Sequence, residues 1–279
     1  MNITIIGSKT RASAWEKHLR KLSIVKQVVI TSAYSSSDNT DAVLVIDNSN
    51  QNLDLLLDII KKGKHCYLVS KLPTDPQKLE TIYHSAEEAN VKVQFSHWPS
   101  IAPSTHWIKQ QIPKPELVEC FKETIPVSYS VDPADVEHGW VDEVGLMVKW
   151  FGGNVHKIEA KPIVSQDLLI GISITLRFEN RSVATISYSA VAENHHHIRK
   201  VSGDNSLFEL DVKSQNLRIT SVNEKNRIVI KSKSFDPTDA AEWSVIQFIK
   251  SIQVGRSTIF NAYDALQTAA VCERIKTLI

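Results

Sequence analysis

Apolar runs of two lengths alternate through the first third of the chain, and this alternation limits the fold more than any single motif. Asn2–Ile6, Val25–Thr31, Asp41–Ile46, His65–Val69 and Val91–Ser96 have the length and composition of strands. Between them, Ala12–Leu22, Leu53–Lys62 and Pro76–Ala89 repeat apolar residues at helical spacing; Ala12, Trp15, Leu19 and Leu22 share one face of the first. The run DAVLVI has no polar residue after its first position, the pattern of a parallel strand covered on both faces. Gly63 supplies a stop for the helix before it. Parallel strands cannot be joined by tight turns and need helical crossovers, so the order predicts a doubly wound parallel sheet.

The pattern changes after QQIPKP, a joint bracketed by Pro113 and Pro115. Period-two alternation then takes over in Glu116–Ser130, Lys157–Pro162, Gly171–Glu179 and Ser182–Ser189. Shorter strands are expected at Leu207–Asp211, Leu217–Thr220 and Arg227–Lys231. A helix at Val136–Phe151 precedes the sheet and stops at Gly152 and Gly153, and helices at Thr238–Val254 and Asn261–Leu278 close the chain. The fold class expected is therefore α/β: a shortened Rossmann-like doubly wound sheet over residues 1–113, then an α+β domain with an open, mainly antiparallel sheet over 114–279.

Charge and cysteine usage narrow the partners. A net charge of +1 provides no field to draw in nucleic acid or an anionic membrane, and no basic stripe interleaved with aromatics is present. No stretch reaches the ~18 apolar residues of a membrane span, and MNITIIGSK runs straight into a core strand, unlike a signal peptide. Cys66, Cys120 and Cys272 are odd in number and scattered, which fits buried thiols in a reducing compartment. A soluble, cytoplasmic protein is the expectation.

The first strand ends in the turn GSKTRA, where nucleotide-binding sheets place glycines so that phosphate can approach the backbone. The dinucleotide fingerprint G-x-G-x-x-G/A falls on Gly7, Lys9 and Ala12. Alanine is acceptable at the third position, but a lysine at the second obstructs the usual approach. The chain holds 9 glycines, where ~7% usage would give about 20. Two readings follow: Lys9 and Arg11 meet a phosphate by charge at the helix start, or they are solvated cations where the helix dipole does not favour them. The second strand ends Ile30-Thr31-Ser32 with no acid to hold a ribose, and the short link to DAVLVI leaves no room for the usual extra helix and strand.

Several segments in order resemble the glucose-fructose oxidoreductase and inositol dehydrogenase family (Gfo/Idh/MocA-like), of which this chain looks like a divergent member. They are DAVLVI, the GKH that follows the next helix, the strand end at Lys71 near Pro73, SAEEANVKVQFSH, GWVDEVG with WFGG, LRFENRSVATISYS, SGDNSLFELD and NAYDALQ. The resemblance covers nearly the whole chain. It implies an NAD or NADP cofactor, hydride transfer on a sugar- or cyclitol-like carbonyl, imine or alcohol, and a homo-oligomer, dimer or tetramer, formed through the C-terminal sheet.

On that resemblance the cofactor would meet Gly7, Ser8, Lys9, Thr10, Arg11, Thr31, Asp47 and Asn48. The family's Glu-Lys-Pro corresponds to Ser70, Lys71 and Pro73, with Leu72 inserted; Lys71 is the residue expected to orient a substrate hydroxyl. The family helix pattern G-x-x-x-D-x-G-x-H-x-x-D falls on Gly139, Glu143, Gly145, Met147 and Trp150, so its proton-transferring histidine is replaced by Met147. Glu143 keeps a carboxylate, and His97 in SHWPS is the remaining histidine expected near a ligand crevice. Lys71, Glu143 and His97 are accordingly the candidate catalytic residues. The run NHHHI places His195 and His197 on one face of a strand, but no carboxylate or cysteine cluster is nearby to fix the geometry, so no metal site is expected. The alternative to an oxidoreductase is an inactive member that binds a small molecule or serves as an assembly scaffold.

Overall fold

A computed structural model describes residues 1–33, 39–46, 52–126, 133–152, 154–203, 205–236 and 240–279. Asp47 and Asn48, most of the loop SAYSSSDNT and the end of the strand expected at Glu116–Ser130 lie outside the described residues. Two compact units emerge: Met1–Ile101 with Thr238–Ala269, and Ala102–Pro237 with Ala270–Ile279. The chain thus crosses just before α5, ahead of the expected joint at Pro113, and later returns to the first unit.

The first unit contains β1 (Asn2–Gly7), α1 (Lys9–Arg20), β2 (Gln27–Thr31), β3 (Ala42–Ile46), α2 (Asn52–Lys61), β4 (His65–Leu68), α3 (Pro76–Glu88), β5 (Val93–Phe95) and α4 (Trp98–Ile101). After α5 (Pro103–Gln111) and α6 (Pro133–Phe151) in the second unit, α7 (Ala240–Val254) rejoins the first. The strands form one parallel sheet in the order β2-β1-β3-β4-β5. Every residue of β3 is buried, as its unbroken apolar run requires of a strand covered on both faces. Ala12 and Leu19 of α1 share a core with Ile3, Ile5, Leu44, Tyr67 and, from the far end of the chain, Val245, Phe248 and Ile249 of α7. The Tyr67 hydroxyl donates to Ser244 Oγ at 3.0 Å, so this buried polar group is satisfied.

Helix α1 begins at Lys9, three residues before the expected Ala12. The reason is physical: its first turn is exposed, and hydrophobic spacing reports only buried turns. Gly7 is needed for backbone approach inside the sheet, since a Cβ there would lie 2.5 Å from the Ile46 carbonyl oxygen of β3.

The second unit holds one sheet of eight strands: β6 (Leu117–Glu123), β7 (Val155–Ser165), β8 (Leu168–Phe178), β9 (Val183–Ser189), β10 (His196–Gly203), β11 (Ser206–Asp211), β12 (Asn216–Val222) and β13 (Ile228–Ser234). Their order is β13-β12-β11-β10-β6-β9-β8-β7, with β6 and β9 parallel and the other pairs antiparallel. Pro162 is tolerated because β7 is an edge strand. Helix α6 lies on this sheet against β6, β8 and β9. Gly139 makes that contact possible, because a Cβ at this position would overlap the ring of Tyr188. The last helix, α8 (Ala262–Lys276), begins in the first unit and ends in the second.

Strand β10 and helices α4 and α5 are additions to the expected elements. In β10 the inward positions His197 and Arg199 precede the buried Val201, so the apolar alternation that would betray the strand is broken.

Candidate active site

The first candidate region is the start of α1, where Ser8 is the N-cap. Its side chain makes no capping bond, and the first turn carries no acid. Ser8, Lys9, Thr10 and Arg11 are exposed. Backbone N–H groups at an uncapped helix start, with two cations on the same turn, form a donor set that suits an anionic phosphate. This helix start therefore fits a phosphate group. At the ribose side the hydroxyl of Thr31 turns onto its own chain, donating to the Ala33 carbonyl at 2.9 Å and accepting from the Ala33 N–H at 3.3 Å.

Lys71 is exposed and follows β4, beside the buried Leu72. His97 follows β5 and is buried, its ring stacked on Phe260 with centroids 4.0 Å apart and its Nδ1 2.7 Å from Ser100 Oγ. The packing partner is thus Phe260; Trp98 is exposed.

The second region is a polar cluster inside the second unit, between α6 and the sheet. Arg199 of β10 donates from Nε to Glu143 Oε2 and from Nη2 to Glu143 Oε1, both at 2.7 Å, and from Nη1 to Thr105 Oγ1 of α5 at 3.2 Å. Glu143 is 1% exposed and Arg199 2%. Such burial is tolerable because the fork of the guanidinium matches both carboxylate oxygens. His197, two residues along β10 and on the same face, places Nε2 3.0 Å from Glu143 Oε1, and its side chain is 19% exposed. Lys122 is its register partner on β6 and donates to the Gly139 carbonyl at 2.7 Å. Tyr188 hydrogen-bonds Thr124 through its hydroxyl at 3.0 Å.

The charges in this cluster act on one another. Burial would push the Glu143 carboxyl up, but Arg199 and then His197 outweigh it and hold the group well below the usual carboxylate range. Burial lowers the His197 imidazole from its ordinary value, against the pull of Glu143. Asp142 is driven to about 6 by burial, with Lys122 opposing and Glu143 reinforcing. Burial, reinforced by Glu143, raises the Cys120 thiol.

Folding overturns one premise read from sequence, because it brings a carboxylate and a cysteine from distant parts of the chain beside the histidine run. Cys120 Sγ, a Glu143 oxygen and a His197 nitrogen lie within 4.8 Å of one another. The donor set still does not suit a metal ion, because Arg199 holds both oxygens of Glu143 and the thiol is kept protonated. His197 and Arg199 were missed as site residues; the only hint was that positions 195, 197 and 199 would share a face if the run were a strand.

No protein-family model matches the sequence, and neither does the sequence of any curated protein. Solved structures do match. The UDP-N-acetylglucosamine 3-dehydrogenase GnnA from Acidithiobacillus ferrooxidans superimposes with a TM-score of 0.86 at 14% identity, over 100% of this chain and 97% of that one. An NAD binding oxidoreductase from Klebsiella pneumoniae gives 0.83 at 14% identity, over 100% and 96% of the two chains. A putative myo-inositol dehydrogenase from Sinorhizobium meliloti gives 0.76 at 13%, over 100% and 97%. The chain has the fold of the Gfo/Idh/MocA-type dehydrogenases from end to end. At these identities the likeness is one of fold.

Proposed function

We propose that the chain is a divergent NAD(P)-dependent oxidoreductase acting on a small polar carbonyl, imine or alcohol of sugar or cyclitol type. The observation that carries this reading is the position of the α1 start. It follows β1 where the strand order reverses between β1 and β3, the place at which a doubly wound sheet opens its ligand crevice. The uncapped turn with Lys9 and Arg11 there suits a phosphate, and the chain follows dehydrogenase folds along its full length. Fold neighbours named for UDP-N-acetylglucosamine and myo-inositol support a polyhydroxylated substrate. The scaffold-only alternative gains no support from neighbours described as dehydrogenases and oxidoreductases.

In this reading Gly7, Ser8, Lys9, Thr10 and Arg11 receive the phosphates, and Thr31 flanks the ribose side together with Asp47 and Asn48, which lie outside the described residues. Bound nicotinamide supplies hydride chemistry. The exposed Lys71 orients the substrate oxygen by charge. Glu143 serves as a fixed buried anion, and His97 as packing behind the strand end. Three free, buried cysteines support a reducing, cytoplasmic setting, and among the described residues no helix is long and apolar enough to cross a membrane.

The test is titration with NADH and NADPH, followed by nicotinamide fluorescence and calorimetry. Binding of either below about 1 mM is expected, within the usual range for such ligands, followed by turnover of myo-inositol or UDP-N-acetylglucosamine with the oxidised cofactor. No binding of either cofactor at that concentration would sink the reading. Homo-oligomerisation is proposed through the sheet face turned away from α6, where Phe121 stands 46% exposed; Phe121→Asp should then lower the mass measured by light scattering.

A further inference from the structure

The two open sheets end on strands β2, β5, β7 and β13, and an open edge pairs with other chains unless something prevents it. The β5 edge is covered. Residues 258–260 run beside it, the Phe95 N–H donating to the Phe260 carbonyl at 2.8 Å and the Thr258 hydroxyl to the Val93 carbonyl at 2.7 Å. The β7 edge carries Pro162 with Lys157, Glu159 and Lys161, and the β13 edge carries the exposed Lys231 and Lys233. Proline and charge both discourage further pairing. The β2 edge has neither, since its sequence QVVIT holds no charge and no proline. A doubly wound sheet of the usual order has a further strand outside this one, whereas here β2 ends the sheet. Among the described residues, only β1 is hydrogen-bonded to the backbone of residues 27–30. Alternate N–H and C=O groups of the strand therefore point outward, open to another strand. Val29 is 43% exposed, and Ile24 just before the strand is 36% exposed.

We propose that β2 is a dimerisation edge, pairing antiparallel with β2 of a second copy of this chain about a two-fold axis at Val29, so that the two five-stranded sheets become continuous. The strand itself selects this partner. A contact between like patches has two-fold symmetry, and two edge strands related by such an axis run antiparallel. Centred on Val29, the register sets Val29 against itself, Val28 against Ile30 and Gln27 against Thr31. Aliphatic side chains thus meet across the axis, which favours the pairing. Lys26 falls opposite Ser32, so no like charges meet.

The same operation centred on β13 sets Lys231 against itself, which like-charge repulsion opposes. Five residues of β2 give a short pairing, so the interface belongs at the small, weak end of the specific range and forms at micromolar concentrations. It lies in the first unit and is separate from the contact proposed at Phe121 of the second. It does not depend on the reaction the chain performs.

The experiment has two readouts on the full chain. The first is the mass in solution, measured by light scattering at micromolar concentrations. Val29→Asp and Val29→Lys each set like charges against one another across the axis, and each should halve the mass of the assembly. Mixed in equal amounts, the two variants should recover it, because the carboxylate then meets the ammonium group. A contact elsewhere in the chain has no reason to be restored by mixing. Circular dichroism of both variants should match the wild type, since Val29 is exposed. The second readout needs no substitution: backbone amides of β2 in the wild type should exchange with deuterium more slowly as the protein concentration rises. This readout decides the matter if the variants fail to fold. Folded variants that keep the wild-type mass, or that do not recover it on mixing, would overturn the proposal. So would β2 amides whose exchange is the same at every concentration.

Discussion

Arg199 and Glu143, 56 residues apart in sequence, meet through two hydrogen bonds of 2.7 Å in the interior of the second unit. The pair fixes strand β10 to helix α6 and sets the electrostatics of everything near it. Neither charge has water to fall back on, so each depends on the other.

Removing one member strands its partner. Glu143→Leu and Arg199→Leu are each expected to cost about 3–5 kcal/mol. The double variant should cost clearly less than the sum, because no orphaned charge remains. Urea unfolding of the four proteins gives the coupling energy, and strict additivity would contradict the pairing.

Asp142 predicts a pH effect. Its carboxyl titrates at about 6 in the fold against an ordinary value of 3.8. The folded chain holds this proton more tightly, so the contribution to stability is complete below 3.8 and is lost as pH rises through about 6. At 1.36 kcal/mol per unit the ceiling is about 3 kcal/mol, and partial exposure reduces it to about 1–2 kcal/mol. Asp142→Asn should therefore gain that amount on the wild type between pH 4.5 and 7.5, measured by denaturant midpoints. A pH-independent difference would remove the account.

The phosphate reading of the α1 start is testable by charge. Lys9→Ala and Arg11→Ala should each weaken NAD(P)H binding about two- to fivefold, as befits exposed, screened cations. The loss should shrink in high salt. Unchanged dissociation constants at low ionic strength would leave both as ordinary surface cations.

Gly139 is a packing requirement, because a methyl group there overlaps the Tyr188 ring. Gly139→Ala should destabilise by about 1–3 kcal/mol through overpacking. Combining it with Tyr188→Ala should recover part of the Gly139→Ala loss, since the obstructing ring is gone. Thermal unfolding of the single and double variants measures this.

Much of the fold was legible because it depends on local pattern. Strands β1 to β5 and helices α1 to α3 were readable from apolar spacing, since each buries its own repeating face. The shortened link after Thr31 was readable too, and β2 is an edge strand of the sheet. Strand β10 was not, because His197 and Arg199 occupy inward positions that period-two reading expects to be apolar. The first turn of α1 was missed for the opposite reason: it is exposed, so hydrophobic spacing carries no record of it.

The sequence by itself determined the succession of elements, the single-glycine turn with its two cations, and the absence of a histidine at position 147. These follow from residue type and local period, which short-range sterics and burial convert directly into helix or strand. Only the tertiary structure decided that α7 packs on the sheet begun at Asn2, and that Glu143, Arg199 and His197 share one buried cluster. Which polar groups meet depends on strand register and on the face a helix turns inward. A register shift of one residue would have sent His197 and Arg199 to the other side of the sheet.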